Sequence, residues 1–362
     1  MKRYIILAIG ITFLFLGVCL QPAIAITQND PKPLLKGNTL YVGGTGEGNY
    51  SRIQDAIDNA SDGDTVYVYD DNSPYVEHIV IKKSINLVGG DRNTTKIQYY
   101  DERWEIIRIK VENVIITGFT IEYLGDAFPS PHGVNIESNN CRIANNKLID
   151  AHSGILGTRH NIIENNIILD CSEGIFLSGK NNIIRNNRVE WNGVGIKLQS
   201  GSNQIIRNKI RKNGYGALIG GINNTVSWNN VTDNNNGFYF NTGSNIITYN
   251  NFNGNSETLF LNEKNCIIKF NNFINSKIFH VFFTVRTRML FFFKFISNFF
   301  ISIHTWNGNY WDDLGQSNVK IIKGENELVI FPDFPFHIAR YFSFRSRDFD
   351  FFPAKEPYDI DI

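Results

Sequence analysis

Residues 133–273 read GVNI at 133–136, GILG at 154–157, GIFL at 174–177, GIKL at 195–198, GALI at 216–219, GFYF at 237–240 and TLFL at 258–261. The starts are 20 or 21 residues apart, which is shorter than the period of helical repeats or propeller blades. Short β-branched runs broken by Gly and Asn are typical of strands and turns. The repeat therefore predicts an all-β, single-stranded parallel β-helix with one coil in about 21 residues.

Two further sets of equivalent residues, called columns here, recur with the same period. An apolar column predicts an inward-facing strand: Leu148, Ile168, Val189, Ile210, Val231, Phe252 and Phe273. An asparagine column predicts a bend with a left-handed residue and amides that bond from coil to coil: Asn146, Asn166, Asn187, Asn208, Asn230, Asn251 and Asn272. We interpret this asparagine column as structural.

Strand alternation predicts which side chains of the glycine-led strand face solvent. In residues 195–198, Ile196 and Leu198 are expected inside and Lys197 outside. The outward column of the seven coils is then Asn135, Leu156, Phe176, Lys197, Leu218, Tyr239 and Phe260. An outward row so rich in apolar groups is unusual for a face left to water. We expect it to lie under the C-terminal tail or, if open, to bind a ligand through Phe176, Lys197, Leu218, Tyr239 and Phe260.

The N-terminal 39 residues have the pattern of an exported chain. Residues 1–25 carry a basic start, an apolar run and a small-residue cleavage site, which predicts a signal peptide. An uncleaved membrane anchor is the alternative, and residues 26–39 form a polar linker. Ser51 is expected to cap a helix that buries Ile53, Ala56, Ile57 and Ala60 and covers the first coil.

The region after the repeat is expected to close the solenoid. We assign residues 40–276 to about ten coils with an N-terminal cap, and residues 277–362 to an irregular aromatic C-terminal cap and tail. Arg286, Arg288 and Lys294 interrupt the Phe-rich stretch 277–303, so we interpret it as a cover for the last coil. A membrane-contacting or partner-binding patch is the alternative.

Charge and cysteine content restrict the function. Lys plus Arg equals Asp plus Glu at 35 each, so no electrostatic case exists for nucleic acid. Cys141, Cys171 and Cys266 are scattered over distant coils, which predicts buried thiols without a disulfide framework.

The outward columns argue against acid–base catalysis on the main strand face. A lyase, epimerase or hydrolase needs several carboxylates gathered on one face. The column at Asn135–Phe260 has no acid, and the next outward column has one: Glu137, Thr158, Ser178, Gln199, Gly220, Asn241 and Asn262. Asp126, Asp150, Asp170 and Glu173 are placed in bends, and no catalytic residue is assigned.

Metal ligands are few. His132 and His152 precede successive glycine-led strands and are expected to approach each other, with His160 at a neighbouring bend. Asp312 and Asp313 follow Asn307 and Asn309, a spacing compatible with Ca²⁺. Calcium and copper are therefore conceivable cofactors, but neither has a recognisable ligand set, so no cofactor is assigned.

The entry segment, the repeats and two C-terminal stretches carry a family resemblance. The sequence SRIQDAIDNASDGDTVYVYDDNSPYVEHIVIKKSINLVGG at 51–90 resembles the entry of pectin-lyase-like right-handed β-helices. The Gly-Ile-x-Leu and Ile-Ile-x-Asn-Asn repeats are similar to the NosD-type β-helix family, named for a periplasmic protein linked to copper-site maturation. TWNGNYWDD at 305–313 and FFPAKEPYDI at 351–360 resemble secreted archaeal members. The resemblance spans about residues 40–313 and implies a fold that hosts lyases, hydrolases, epimerases and binders.

The sequence therefore predicts a secreted or cell-surface β-helix that binds or scaffolds, without chemistry of its own. Its expected partners are a polysaccharide or a cell-envelope protein. Two alternatives remain open: a carbohydrate-active lyase, hydrolase or epimerase, and a metal-handling accessory protein of the copper type. A converging acid cluster favours the enzyme, and a third ligand beside His132 and His152 favours the metal protein.

Overall fold

The computed structural model describes residues 37–101, 104–263 and 265–275, together with the strand backbones within 279–350 and residues 354, 356–358 and 360. These residues form an all-β solenoid in which each coil passes through three parallel sheets in turn. The expected fold of about ten coils is confirmed, because one of the sheets has ten strands.

Each sheet collects one strand from each coil. Sheet 1 contains Ile79–Ile81, Glu105–Ile109, His132–Ile136, Ser153–Gly157, Glu173–Leu177, Val194–Leu198, Tyr215–Ile219, Asn236–Phe240, Glu257–Leu261 and Phe279–Val281. Sheet 2 contains Thr39–Val42, Thr65–Val68, Asn86–Gly89, Ile115–Thr117, Arg142–Ala144, Ile162–Glu164, Ile183–Arg185, Gln204–Ile206, Thr225–Ser227, Ile246–Thr248, Ile267–Lys269, Thr305–Asn307, Arg340–Asp350, Lys320–Phe331 and Thr284–Arg288. Sheet 3 contains Tyr75–Val76, Lys96–Tyr99, Thr120–Tyr123, Lys147–Ile149, Ile167–Leu169, Arg188–Glu190, Lys209–Arg211, Asn230–Thr232, Asn251–Asn253, Asn272–Ile274 and Tyr310–Trp311.

The helix Ile53–Asn59 lies at the N-terminal end and buries Ile53, Ala56 and Ile57. Its N-cap residue is Arg52, whose side chain makes no cap hydrogen bond, so the expected cap by Ser51 is wrong. The Glu77 carboxylate instead accepts hydrogen bonds from the amides of Ile53 and Gln54, at 2.8 and 3.1 Å. A buried anion from a later coil thus satisfies the helix N-terminus.

The predicted inward columns form the core. Ile196 is fully buried and Leu198 nearly so, while Lys197 is partly exposed. Aliphatic residues make up most of the core, and Phe238, Phe240, Phe252 and Phe273 are added in the upper coils. There the Phe252 ring lies 5.4 Å from that of Phe238 and 5.2 Å from that of Phe273, measured between ring centroids. Each buried side chain of this kind contributes about 1.5–3 kcal/mol to folding.

Buried asparagine ladders lie at all three corners of the coil, where the sequence predicted one. In each ladder the side-chain oxygen accepts a hydrogen bond from the backbone amide of the equivalent residue one coil earlier, as Asn208 does from Asn187 at 2.9 Å. The ladder between sheets 2 and 3 is Asn146, Asn166, Asn187, Asn208, Asn229, Asn250 and Asn271. The other two are Asn161, Asn182, Asn203, Asn224 and Asn245, and Asn192, Asn213, Asn234 and Asn255.

The predicted column is wrong in its last three members. Asn230, Asn251 and Asn272 begin sheet 3 strands, one residue after the ladder. The left-handed residue is likewise not the ladder asparagine but the residue before it, as at Asn186 with φ of 56°. The side-chain carboxamide of the ladder asparagine must point inward to bond along the solenoid axis. The residue before it therefore makes the bend, and the side chain of that preceding residue is not buried.

The three described cysteines are buried and form no disulfide, as predicted. Cys141 and Cys266 occupy the two ends of one ladder, and Cys171 occupies the lower end of another. The sulfur takes the place of the carboxamide there, and Cys141 Sγ contacts the Val111 carbonyl of the preceding coil at 3.6 Å.

The sheets continue past the last repeat. Phe279–Val281, Thr305–Asn307 and Tyr310–Trp311 each pair in parallel with the preceding strand of their sheet. Lys320–Phe331 pairs antiparallel with Arg340–Asp350, where the sequence predicted an irregular tail. Alternating sequence such as RYFSFRSRDFD at 340–350 is the strand signal that accounts for this difference.

The boundary at residue 276 and the capping role of 277–362 stay predictions, as do the signal peptide and the linker to residue 36, which lie outside the described residues. Within the described part of the chain, no helix has the length and apolar character needed to cross a membrane.

Candidate functional site

The outer surface of sheet 1, called here the sheet-1 face, carries the predicted ligand-binding residues. Phe176, Lys197, Leu218, Tyr239 and Phe260 occupy equivalent positions in successive strands and pair directly across the sheet. Arg108 and Asn135 continue this column at its lower end. The prediction that these residues form one outward column is confirmed, and their role in binding stays a prediction.

A second outward column on this face lies one residue before the strand glycine. It contains Glu105, His132, Ser153, Glu173, Val194, Tyr215, Asn236 and Glu257. The glycine itself faces the core, because a Cβ on Gly154 would lie 2.8 Å from the Ile168 methyl of sheet 3. Glu173 therefore begins a strand on the sheet-1 face, and its assignment to a bend is wrong. The sequence signal for this column is the residue that precedes the glycine of each strand.

Charged groups gather at the lower end of the sheet-1 face. The Glu105 carboxylate, which is buried, lies 3.6 Å from His78 Nε2 and 3.7 Å from the Arg108 guanidinium. Arg108 also donates from Nε to Glu137 at 2.8 Å. Arg108 thus links Glu105 of the second column to Glu137, the residue that follows the strand His132–Ile136. Neither Glu105 nor Arg108 was predicted from the sequence.

His132 stands next in this column, beside Glu105 of the preceding coil. Its ring centroid lies 5.4 Å from that of His152, so the two histidines do approach each other as predicted. Its Nδ1 is buried and has no hydrogen-bond partner among the described residues. Burial lowers the pKa of His132, and His152 lowers it further, while Glu105 and Glu173 act in the opposite direction. The ring is therefore neutral at pH 7.

Glu173 and Lys197 connect the lower and upper parts of the face. Lys197 Nζ donates to Glu173 at 2.7 Å and lies 4.7 Å from the centre of the Phe176 ring. Ser153 Oγ donates to the other Glu173 oxygen at 3.2 Å. Side chains from three consecutive coils are thereby held in one hydrogen-bonded group, which fixes the cation over the aromatic ring.

The upper part is apolar and is called here the sheet-1 row: Leu218, Tyr239 and Phe260. The Tyr239 and Phe260 rings are stacked with centroids 4.0 Å apart and planes 12° apart. Each ring covers one face of the other, so the pair presents ring edges outward. Burial raises the pKa of the Tyr239 hydroxyl, and Tyr215 adds to this shift.

Exposed aromatic groups flank the lower end. Trp104 is 77% exposed and immediately precedes Glu105, and its carbonyl accepts a hydrogen bond from the His132 amide at 2.8 Å. Phe128 is 99% exposed in the predicted loop that leaves the stack before His132. The lower part of the sheet-1 face therefore has hydrogen-bonding groups on the sheet and apolar side chains at its edge.

A different aromatic row receives the C-terminal segment. Trp228, Tyr249 and Phe270 stack at the corner between sheets 2 and 3, with centroids 4.6 and 5.2 Å apart, and are called here the corner row. The ring of Tyr358 packs edge-on against Phe270 at 5.9 Å. Tyr358 thus contacts the corner row. The expectation that the tail lies on the sheet-1 face falls largely on residues outside those described, so it stays a prediction.

The described donors do not fit a copper site. No group of three His, Cys, Asp or Glu side chains within the described ranges is close enough to share an ion. Burial raises the pKa of Cys171 to about 12 and that of Cys266 to about 11, so neither supplies a thiolate at neutral pH. Both methionines of the sequence, and Asp312 and Asp313, lie outside the described residues.

Comparison with protein families gives two matches. The family described as periplasmic copper-binding protein (NosD) matches residues 57–225. The family described as right handed beta helix region matches residues 173–312. The two matches together cover residues 57–312 and share the coils between Glu173 and Thr225. No curated protein matches the sequence.

Solved structures similar to this chain come from different sources. A protein of Geobacillus virus E2, ORF18, is similar with a TM-score of 0.51 and 14% identity, over 80% of this chain and 59% of that protein. This likeness supports the fold alone. An alginate lyase from Paenibacillus sp. str. FPU-7 has a TM-score of 0.43 and 13% identity, over 68% of this chain and 93% of the lyase. The PL6 family alginate lyase AlyGC has a TM-score of 0.47 and 13% identity, over 76% of this chain and 41% of the lyase.

Proposed function

Because the chain belongs to the NosD-type family of right-handed parallel β-helix proteins, we propose that it works outside the cytoplasm as a binding protein for a cell-envelope polysaccharide. The location is supported by the export pattern of residues 1–25 and by the periplasmic description of the matched family. The ligand-binding surface in this proposal is the sheet-1 face.

One observation carries the proposal: polar groups at the lower end and aromatic groups at the upper end lie on a single face, in register from coil to coil. From Glu105 to Phe260 the outward columns present carboxylates, cations, an imidazole and aromatic rings in successive strands. Strand neighbours lie about 4.8 Å apart. A linear polymer of similar units can contact equivalent positions in several coils, whereas a small molecule contacts one or two.

The chemistry of the face fits sugars better than an apolar ligand. Glu105, Arg108 and Glu173 are held by ion pairs at fixed positions, so they accept and donate hydrogen bonds without being reorganised. Trp104 and Phe128 expose rings at the lower edge, where sugar C–H groups can pack. Tyr239 and Phe260 contribute ring edges to the upper end and not a flat platform.

The test is binding of the purified chain to immobilised neutral, uronic-acid and amino-sugar polysaccharides. Trp104→Ala and Glu173→Gln each remove a group from the sheet-1 face, and we expect each to weaken binding about three- to tenfold. Tyr249→Asn removes a ring from the corner row, away from this face, and is the matched control.

Binding that is weakened equally by all three variants, or by none, places the ligand elsewhere. A folded parent protein that binds no polysaccharide overturns the proposal. Capture of an envelope protein through the sheet-1 face then becomes the better hypothesis.

A second candidate is a carbohydrate-active enzyme, favoured by the column at Glu105, His132 and Glu173. A neutral imidazole in one column with two ion-paired carboxylates supplies candidate general bases on one surface. The sequence predicted no catalysis on this face because a register that begins at the strand glycine omits this column. Release of shorter sugars from a bound polysaccharide, abolished by His132→Asn without loss of binding, would establish this activity.

A further inference from the structure

The C-terminal segment is held on the corner row by a specific arrangement. The Asn272 carboxamide accepts a hydrogen bond from the Tyr358 amide at 2.8 Å and donates one to the Tyr358 carbonyl at 2.8 Å. The Tyr358 ring packs edge-on against Phe270 and, at 6.3 Å, against Tyr249. The Asn272 side chain therefore bonds both backbone groups of Tyr358, as the edge of a sheet does, while the neighbouring rings contact the Tyr358 side chain.

The residues that make this contact belong to a triplet that occurs in three consecutive coils: Trp228-Asn229-Asn230, Tyr249-Asn250-Asn251 and Phe270-Asn271-Asn272. The aromatic residue is left-handed and stacks outside, with φ of 56–62°. The middle asparagine belongs to the buried ladder. The last asparagine begins a sheet 3 strand and lies directly in register with its equivalents.

The two lower triplets present the same groups as the one that holds Tyr358. Asn251 Nδ2 donates to Asn230 Oδ1 at 3.1 Å, and the described residues provide no partner for Asn251 Oδ1 or Asn230 Nδ2. Both side chains are partly exposed. Each triplet therefore keeps an amide group able to bond a peptide backbone beside a stacked ring.

Two cationic side chains lie at the lower end of the surface formed by the triplets. The Arg207 guanidinium lies 5.9 Å from the centre of the Trp228 ring, and Lys209 pairs with Asn230 across the sheet. In the sequence, acidic residues Glu356 and Asp359 flank Tyr358 at distances of two and one residues. A segment with this composition has the charge that Arg207 and Lys209 attract.

We propose that the lower triplets, at Tyr249–Asn251 and Trp228–Asn230, form a docking groove for a partner protein. The occupant is an extended segment of that protein, with an aromatic residue flanked by acidic ones. Its backbone pairs with the Asn251 carboxamide, and its ring packs edge-on against Tyr249 and Trp228. The chain's own segment shows the binding mode at the neighbouring triplet. This surface is separate from the sheet-1 face and does not depend on the proposed function.

The experiment titrates a fluorescent peptide of sequence AKEPYDI, copied from residues 354–360, with the full chain and measures anisotropy. We expect saturable binding that Asn251→Ala weakens roughly tenfold, because two hydrogen bonds are lost. Tyr249→Asn removes the ring and is expected to act similarly. Asn253→Ala, which removes another outward amide of the same strand, is the matched control and should bind like the parent.

Three outcomes overturn the proposal. The first is a lack of binding by the parent protein. The second is binding that only Asn272→Ala abolishes, which means that the peptide has replaced the chain's own segment. The third is concentration-dependent dimerisation in sedimentation that Asn251→Ala prevents, since the occupant is then a second copy and not a partner protein.

Discussion

The sheet-1 row and the corner row are both stacks of outward aromatic residues, yet they differ in backbone and in surroundings. Tyr239 and Phe260 belong to extended strands, and their row continues downward into Lys197 and the ionisable groups of sheet 1. Tyr249 and Phe270 have left-handed backbones at a corner, and amide side chains adjoin them. Among the described C-terminal residues, Tyr358 contacts the second of these rows, and the strand Phe279–Val281 pairs with Phe260 at the upper end of the first.

The difference teaches that a stacked row is not by itself a sign of a binding site. In a solenoid, equivalent residues of successive coils stack wherever the sequence repeats, so rows arise from the period. What each row does depends on the polar groups beside it. Carboxamides next to the corner row pair with a peptide backbone. Charged residues and an imidazole below the sheet-1 row suit the hydroxyl groups of sugars.

The largest expected effect comes from the core between the two rows. Phe252 is fully buried, it contacts Phe238 beside Tyr239, and it follows Asn251 beside the corner row. Phe252→Ala should destabilise the chain by about 3–5 kcal/mol and loosen both rows. Urea unfolding measures the loss, and near-UV circular dichroism reports the aromatic packing. Ile210→Val, in the same column two coils lower, should cost about 0.5–1.5 kcal/mol. Equal losses would show that Phe252 does not link the rows.

The next effect should separate the rows. Asn250 Nδ2 donates to the Val226 carbonyl at 2.9 Å, and its Oδ1 accepts from the Asn229 amide at 3.0 Å. Asn250→Leu leaves both buried groups without partners and should cost about 2–4 kcal/mol in urea unfolding.

Because Asn250 adjoins Tyr249, this change should weaken peptide docking on the corner row but leave polysaccharide binding intact. Asn251→Leu, one residue further and outward, should alter the free energy of unfolding by less than about 0.5 kcal/mol. If Asn250→Leu weakened peptide docking and polysaccharide binding equally, the two surfaces would not be independent.

Much of this architecture follows from the sequence, because coil positions 20 or 21 residues apart must stack. The glycine-led strand and the inward columns, such as Ile196 and Leu198, follow from this period and from strand alternation. The asparagine ladder was misassigned where the doublet shifts by one residue, because the ladder residue is the second of Asn186-Asn187 but the first of Asn229-Asn230. The step from Asn208 to Asn230 is one residue too long, and that mismatch was the signal for Asn229.

The sites were less accessible to sequence reasoning. Glu105 was not predicted as a site residue and Glu173 was placed in a bend, because the register began at the strand glycine and the residue before it was not expected to face outward. The pairing of Asn272 with Tyr358 joins residues 86 apart outside any period, so no repeat could indicate it. Only the folded chain brings these two residues together.

A smaller effect concerns pH and the lower end of the sheet-1 face. The folded-state pKa of His132 is lowered by burial, so the unfolded chain binds a proton more readily. Stability from this group is present above about pH 6.5 and is lost as pH falls below it, by at most about 1.4 kcal/mol per pH unit. Asparagine already occupies the equivalent position 236 of this column. His132→Asn should therefore make the free energy of unfolding depend less on pH between pH 5 and about pH 7. Peptide docking on the corner row should not change between the wild-type chain and this variant. Identical pH profiles of stability for both proteins would contradict the assignment.

The smallest effect is the difference between one substitution made in the two rows. Tyr239→Asn removes a ring stacked on Phe260 and puts a poor strand former into sheet 1, so it should cost about 1–2 kcal/mol. Tyr249→Asn also removes a stacked ring, but asparagine adopts the left-handed backbone readily, as Asn165 and Asn186 do at the same corner of lower coils. The gain in backbone preference should offset the lost stacking to within about 0.5 kcal/mol. Urea unfolding of both variants and the parent measures the difference. Equal losses would mean that the backbone of the corner does not favour asparagine, and that the aromatic residues there are selected for fold stability and not for docking.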